Sequence, residues 1–90
     1  MKDRKLTAEM TADLYALLVS LETVEDCKAL FADLCTDKEI EQMAQRVRAA
    51  KLLKEGKTYA QVIEETEISS ATLSRVSRCV QYGDGYSKFL

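Results

Sequence analysis

The stretch Glu67–Arg78, EISSATLSRVSR, holds the residues of this chain best suited to recognition chemistry. It carries two arginines, five hydroxyls and no acid after its first residue. Short side chains let a helix backbone approach another molecule closely. Hydroxyls donate or accept, the methyls of Ala71 and Thr72 suit a thymine methyl, and arginines bind phosphate or guanine. With Ser69 as the cap of a helix from Ser70, Leu73 and Val76 face inward together with Val80. Ser69, Ser70, Ala71, Thr72, Ser74, Arg75 and Arg78 are then on or near the open face. The helix N-terminus on that face favours a phosphate. An ordinary amphipathic helix shows the same spacing, so a plain solvated surface remains the alternative.

The element in front of this helix matters. Thr58 followed by Gln61 predicts a capped short helix over about 59–66, and Glu67-Ile68-Ser69 reads as a turn. Two short helices joined in this way make a helix-turn-helix, whose second helix enters the major groove. Val62, Ile63 and Ile68 are expected to pack the first helix and turn against the second. Glu67 stands where such turns often carry glycine, and a non-glycine residue at positive φ is costly. Ile63 stands where the first helix often has a small residue.

Upstream, RVRAAKLLKEGK (residues 46–57) holds five basic groups and one acid. Arg46, Arg48, Lys51, Lys54 and Lys57 do not share one narrow helical stripe. Lys54, Lys57 and Gln61 are the candidate phosphate contacts, which add salt-sensitive affinity without sequence information. A solvated helix face is the competing reading.

These positions need a scaffold, and the chain reads as all-α. It has no proline, three glycines and no strand-like alternation in its 90 residues. Helices are expected over about 8–20, 24–34, 37–55, 59–66 and 70–82, with a last turn near 86–90. Met10, Leu14, Leu17, Leu18 and Leu21 form an apolar stripe on the first. Val24, Cys27, Phe31 and Leu34 share a side of the second. Ile40, Met43, Ala44, Val47 and Ala50 are the expected core of the third, which stops at Gly56. Thr36 with Glu39 fits a capping box, and Thr23 with Asp26 nearly does. A single domain over 1–90 is expected, with core helices over about 8–55 and the helix-turn-helix over about 58–82.

Composition narrows the function classes. The net charge is −2, yet residues 1–41 hold 5 basic and 10 acidic groups while residues 42–90 hold 8 and 5. An acidic protein can therefore carry a basic face. With no histidine, no phosphate loop and no nucleophile–base pair, catalysis has no candidate residue. No cofactor is called for. The three cysteines, Cys27, Cys35 and Cys79, form no CxxC and are expected to be reduced, buried thiols rather than metal ligands. No apolar run approaches the ~18–20 residues of a membrane span, and MKDRKLTAEM lacks the apolar segment of a signal peptide. A cytoplasmic protein without a membrane partner is expected.

Taken together, RVRAAKLL, a glycine turn, a short helix and ATLSR resemble the Trp repressor superfamily. LFADLCTDKEIEQMAQR, GKTYAQVIEET, ATLSRVSRC and YGDGY resemble more closely its TrpR-like YerC/YecD branch, over about residues 5–88. The resemblance implies a bacterial, intertwined helical homodimer with two reading heads. Such a dimer implies double-stranded DNA with a palindromic operator, its half-sites about one helical turn (~34 Å) apart. Ser70, Ala71, Thr72 and Ser74 match the repressor's base- and phosphate-contacting positions. Thr36, Arg46 and Arg75 match positions of its tryptophan pocket, Arg46 at the carboxylate and Arg75 on the indole. Val76 replaces a glycine there and Cys79 a serine. Valine fills space a planar ring needs, and cysteine is a weak partner for an ammonium. L-tryptophan is therefore not the expected effector, and no other effector is identified. Without it, Arg46 and Arg75 would pair with acids such as Asp37 or Glu39, or hold another small anion.

Two functions follow. One is a dimeric, sequence-specific DNA-binding transcriptional regulator. The other is a protein-interaction or dimerisation module that keeps the fold without reading DNA, for which the acidic balance and Glu64, Glu65 and Glu67 speak.

Overall fold

A computed structural model describes residues 3–90 as six helices, with no strand among the described residues. They are α1 (Arg4–Val19), α2 (Val24–Leu34), α3 (Asp37–Lys54), α4 (Tyr59–Thr66), α5 (Ser70–Tyr82) and α6 (Gly85–Phe89). The all-α expectation holds, and α2, α4 and α5 have the expected bounds. Two compact units divide between Leu34 and Cys35, so α3 groups with the helices that follow it.

In the first unit, α1 starts earlier than the apolar stripe suggests. Asp3 Oδ1 accepts the N–H groups of Lys5 and Leu6 at 2.9 and 3.3 Å and supplies a cap ahead of the periodic region. Thr7 and Thr11 bond back to the carbonyls four residues earlier, at 3.0 and 2.8 Å, which satisfies their hydroxyls within the helix. No residue of α1 is buried, and Leu6, Met10, Leu14, Tyr15, Leu17 and Val19 are all exposed. Thr23 and Asp26 cap α2 reciprocally. Thr23 Oγ1 accepts the Asp26 N–H at 3.0 Å, while Asp26 Oδ2 accepts those of Glu22 and Thr23 at 3.1 and 3.2 Å. Aspartate thus completes the box that glutamate usually closes.

The second unit holds the core. Thr36 and Glu39 form the expected capping box of α3. At its other end the Lys57 N–H bonds to the Leu52 carbonyl and the Gly56 N–H to that of Leu53, the paired bonds of a Schellman motif. Gly56 takes φ +89°, which suits glycine. α5 ends at Gly83, where a Cβ would lie 2.7 Å from the Cys79 carbonyl oxygen.

Ala49, Ala50 and Leu52 of α3 pack with Val62, Ile68, Leu73 and Val76. Leu53, Val80 and Tyr86 cover this cluster. Burying Val62, Leu73 and Val76 stabilises the unit by about 1.5–3 kcal/mol each. The core sits further along α3 than the sequence suggests. Of the five expected positions only Ala50 is buried; Ile40 and Met43 are half-buried, Ala44 is exposed and Val47 is 42 % exposed. α4 and α5 pack on the C-terminal half of α3, which selects Ala49, Ala50 and Leu52. Ile63 is likewise 36 % exposed, because Val62 takes the inward place on α4. The thiols are free as expected, but Cys27 is exposed and Cys35 and Cys79 are only half-buried.

Candidate nucleic-acid interface

The α4–turn–α5 segment presents the candidate residues. Leu73 and Val76 are 0 % and 1 % exposed, and Ser77 beside them is also buried. This burial fixes the rotation of α5. Ser69, Ser70, Ala71, Ser74, Arg75 and Arg78 are exposed and Thr72 is half-buried. The spacing had sorted the inner and outer residues in this way, apart from Ser77.

Ser69 caps α5. Its Oγ accepts the Thr72 N–H at 3.2 Å and donates to Thr72 Oγ1 at 2.9 Å. The first turn of α5 contains no acid, whereas α2 and α3 carry two each in theirs. The N–H groups of Ser70 and Ala71 belong to the first turn and lack intrahelical acceptors. They add partial positive charge where an anion would approach.

Glu67 adopts φ 60° and ψ 19°, the left-handed conformation. Its N–H donates to the Ile63 carbonyl at 2.8 Å. The glycine-like turn geometry is therefore present with a glutamate in it. Thr66 stiffens the same turn: its hydroxyl donates to the Val62 carbonyl at 2.7 Å and accepts the Ile68 N–H at 3.2 Å.

Two links join α3 to the end of α4. Gln45 Nε2 donates to the Thr66 carbonyl at 3.0 Å in a partly buried setting. Arg48 lies 3.9 Å from Glu65, with the two side chains 65 % and 52 % exposed. The hydrogen bond stabilises by about 0.5–1.5 kcal/mol. The exposed ion pair contributes at most about 1 kcal/mol. Sequence reading missed Gln45, because a lone glutamine in a basic stretch carries no signal of a carbonyl 21 residues away.

An open groove of about 1000 Å³ lies between α3 and this turn. Arg46, Lys38, Glu41, Glu67, Ser69 and Thr72 are among its lining residues. Thr36 and Arg75 are not, so of the three residues carried over from the tryptophan pocket only Arg46 lines it. Thr36 instead caps α3, and ten residues of helix separate it from Arg46 by about 15 Å along the axis. The expected pairing of Arg46 or Arg75 with Asp37 or Glu39 does not form: among the described residues the ion pair is Arg48–Glu65. Glu39 is engaged by the Thr36 N–H at 2.8 Å, which, with the Thr36 hydroxyl, holds its carboxyl below the usual range.

Lys54 and Lys57 are exposed around the α3–α4 connection. Gln61 Oε1 accepts the Thr58 N–H at 2.9 Å, which leaves its amide group as the part able to donate outward. Among the described residues no group of three His, Cys, Asp or Glu is placed to hold a metal ion. No helix among them is long and apolar enough to cross a membrane.

Residues 9–90 match the sequence profile of the Trp repressor protein family. The Bacillus subtilis protein YerC, of uncharacterised function, is 44 % identical over 87 residues, covering 96 % of this chain and 84 % of YerC. The crystal structure of a candidate Trp repressor from Staphylococcus aureus superposes with a TM-score of 0.85 at 40 % identity, covering 97 % of this chain and 88 % of its own. A TrpR-like protein from Eubacterium eligens gives a TM-score of 0.86 at 37 % identity, covering 96 % and 90 %.

Proposed function

Because the chain belongs to the Trp repressor protein family, we propose that it is a sequence-specific DNA-binding transcriptional regulator acting as a homodimer in the bacterial cytoplasm. Membership suggests a DNA-binding regulator; the residues supply the rest of the proposal. The observation that carries it is the two-sidedness of α5: Leu73 and Val76 are sealed in the core while hydroxyls and arginines stand outside. Ser70, Ala71, Thr72 and Ser74 meet base edges and phosphates. Ser69, Arg75 and Arg78 support them, with Lys54, Lys57 and the Gln61 amide on the backbone.

The exposed apolar residues of α1 support a second copy as their cover. The whole chain then forms one intertwined domain with its twin, and two reading heads address a palindrome. L-tryptophan is not its effector. What supports this is Val76, directly after Arg75: it stands where the family resemblance has a glycine and is buried in the core, and its added bulk disfavours a planar ring beside that arginine.

Selection of sites from random double-stranded DNA tests this reading. An enriched palindrome with half-sites about one helical turn apart supports it. No enriched site, with no gel shift on mixed DNA at low salt, would leave the fold as a protein-interaction module.

A further inference from the structure

We infer that Gln45 is a positioning residue for the reading helix: it fastens the α4 end of the head to α3, so the chain's own groups set the angle of α5. The inference rests on the DNA-reading proposal. Three observations meet at one place. The Gln45 amide reaches the Thr66 carbonyl at 3.0 Å, and that carbonyl belongs to the last turn of α4, where helical acceptors are left over. Thr66 itself braces the turn through Val62 and Ile68. Glu67, the next residue, holds a left-handed conformation that persists only where its surroundings determine it.

The alternatives for fastening the head are weaker. The apolar core fixes the inner side of α5, but it ends at Val62 and Ile68 on the turn side. The Arg48–Glu65 pair is long and exposed. Beyond these lies the open groove between α3 and the turn. Gln45 lines that groove and spans it at its partly buried edge. A head fastened in this way needs no bound small molecule to hold its angle.

The test is Gln45→Met, which keeps length and neutrality and removes the donor, measured in the intact protein. Circular dichroism and self-association serve as the controls for fold and assembly. Amide hydrogen exchange at Glu67 and Ile68 reads the fastening directly, since both N–H groups bond within the turn. Exchange there is expected to speed up about five- to tenfold, with core amides of α5 unchanged. Affinity for the palindrome selected from random DNA is expected to fall by a similar factor, while affinity for mixed DNA stays the same. Adding L-tryptophan restores nothing.

Unchanged exchange at both amides overturns the inference whether or not DNA is bound. Faster exchange with undiminished specific affinity overturns it too, because the angle would then not matter. Equal loss on specific and mixed DNA also counts against it. If the parental protein selects no site, the DNA-reading proposal fails, and the exchange arm still decides whether Gln45 holds the turn.

Discussion

Ser69 and Thr72 are bonded twice: the Ser69 Oγ accepts the Thr72 N–H at 3.2 Å and donates to Thr72 Oγ1 at 2.9 Å. One serine thus caps α5 and orients a candidate base-reading hydroxyl. With one lone pair engaged, the Thr72 hydroxyl keeps its O–H to donate and a second lone pair to accept. Ser69→Ala is expected to destabilise the protein by about 1 kcal/mol, read from urea unfolding. It is also expected to blur base preference at the position Thr72 reads, as Thr72→Ala does with the cap intact. Equal stability of Ser69→Ala and parent would remove the capping role.

Glu67 sets up the opposite stability change. A glutamate at φ 60° carries a left-handed cost of about 1–2 kcal/mol that glycine avoids, though glycine loses more chain entropy on folding. Glu67→Gly is therefore expected to raise stability by about 0.5–1 kcal/mol, seen as a higher Tm. Glu67→Gln keeps the backbone cost and should not. A destabilised glycine variant would show that the side chain, not the backbone, sets the energy of the turn.

Backbone contacts and base contacts separate in salt titrations. Log affinity for DNA is expected to fall linearly against log salt. Lys54→Ala and Lys57→Ala should each reduce that slope by about 1 and weaken all sequences alike. Arg75→Ala should weaken binding more strongly on the selected site than on mixed DNA. A slope unaltered by either lysine change would take those residues off the DNA.

Calorimetric titration with L-tryptophan is expected to show no saturable micromolar binding. Overfilling a packed site costs about 1–3 kcal/mol, and Val76 sits in the core at 1 % exposure. A clean micromolar isotherm would reverse the conclusion drawn from Val76.

Acid should loosen the N-terminal ends of α2 and α3. The Glu22 N–H, with the Thr23 N–H and hydroxyl, holds the Asp26 carboxyl below its ordinary range; the Thr36 N–H does so for Glu39. A carboxylate lowered on folding stabilises fully above the unfolded value, about 4, and loses that contribution as pH falls through the folded value. The urea midpoint should therefore decline below about pH 4, less steeply in Asp26→Asn and Glu39→Gln. Identical pH profiles for parent and variants would contradict this.

Much of this architecture is legible in the sequence because its signals are local. Thr36–Glu39 and Thr58–Gln61 announce their helices within four residues, and Gly56 marks a stop. The inner face of α5 follows from the three-residue spacing of Leu73 and Val76. The long-range part is not legible. Ala49 and Leu52 are chosen over Met43 and Val47 by where α4 and α5 land on α3. Gln45 acquires its role from a carbonyl that only the fold brings near. The Asp3 cap is not legible either, because a cap can precede the apolar pattern it serves.

The residues that seat α5 in the core and most of those proposed to meet DNA are separate sets; Ser69, which caps the helix and bonds Thr72, belongs to both. Leu73, Val76 and Ser77 lie inside, against a core that includes the small side chains Ala49 and Ala50; Ser70, Ser74 and Arg75 lie outside and bear on none of it. On the DNA-reading proposal, substitutions at Ser70, Ser74 and Arg75 are expected to alter which sequence is preferred without disturbing how the helix is held. This division would then make the head an interchangeable part: a lineage could acquire a new operator through a few surface changes while the fold stays as it is.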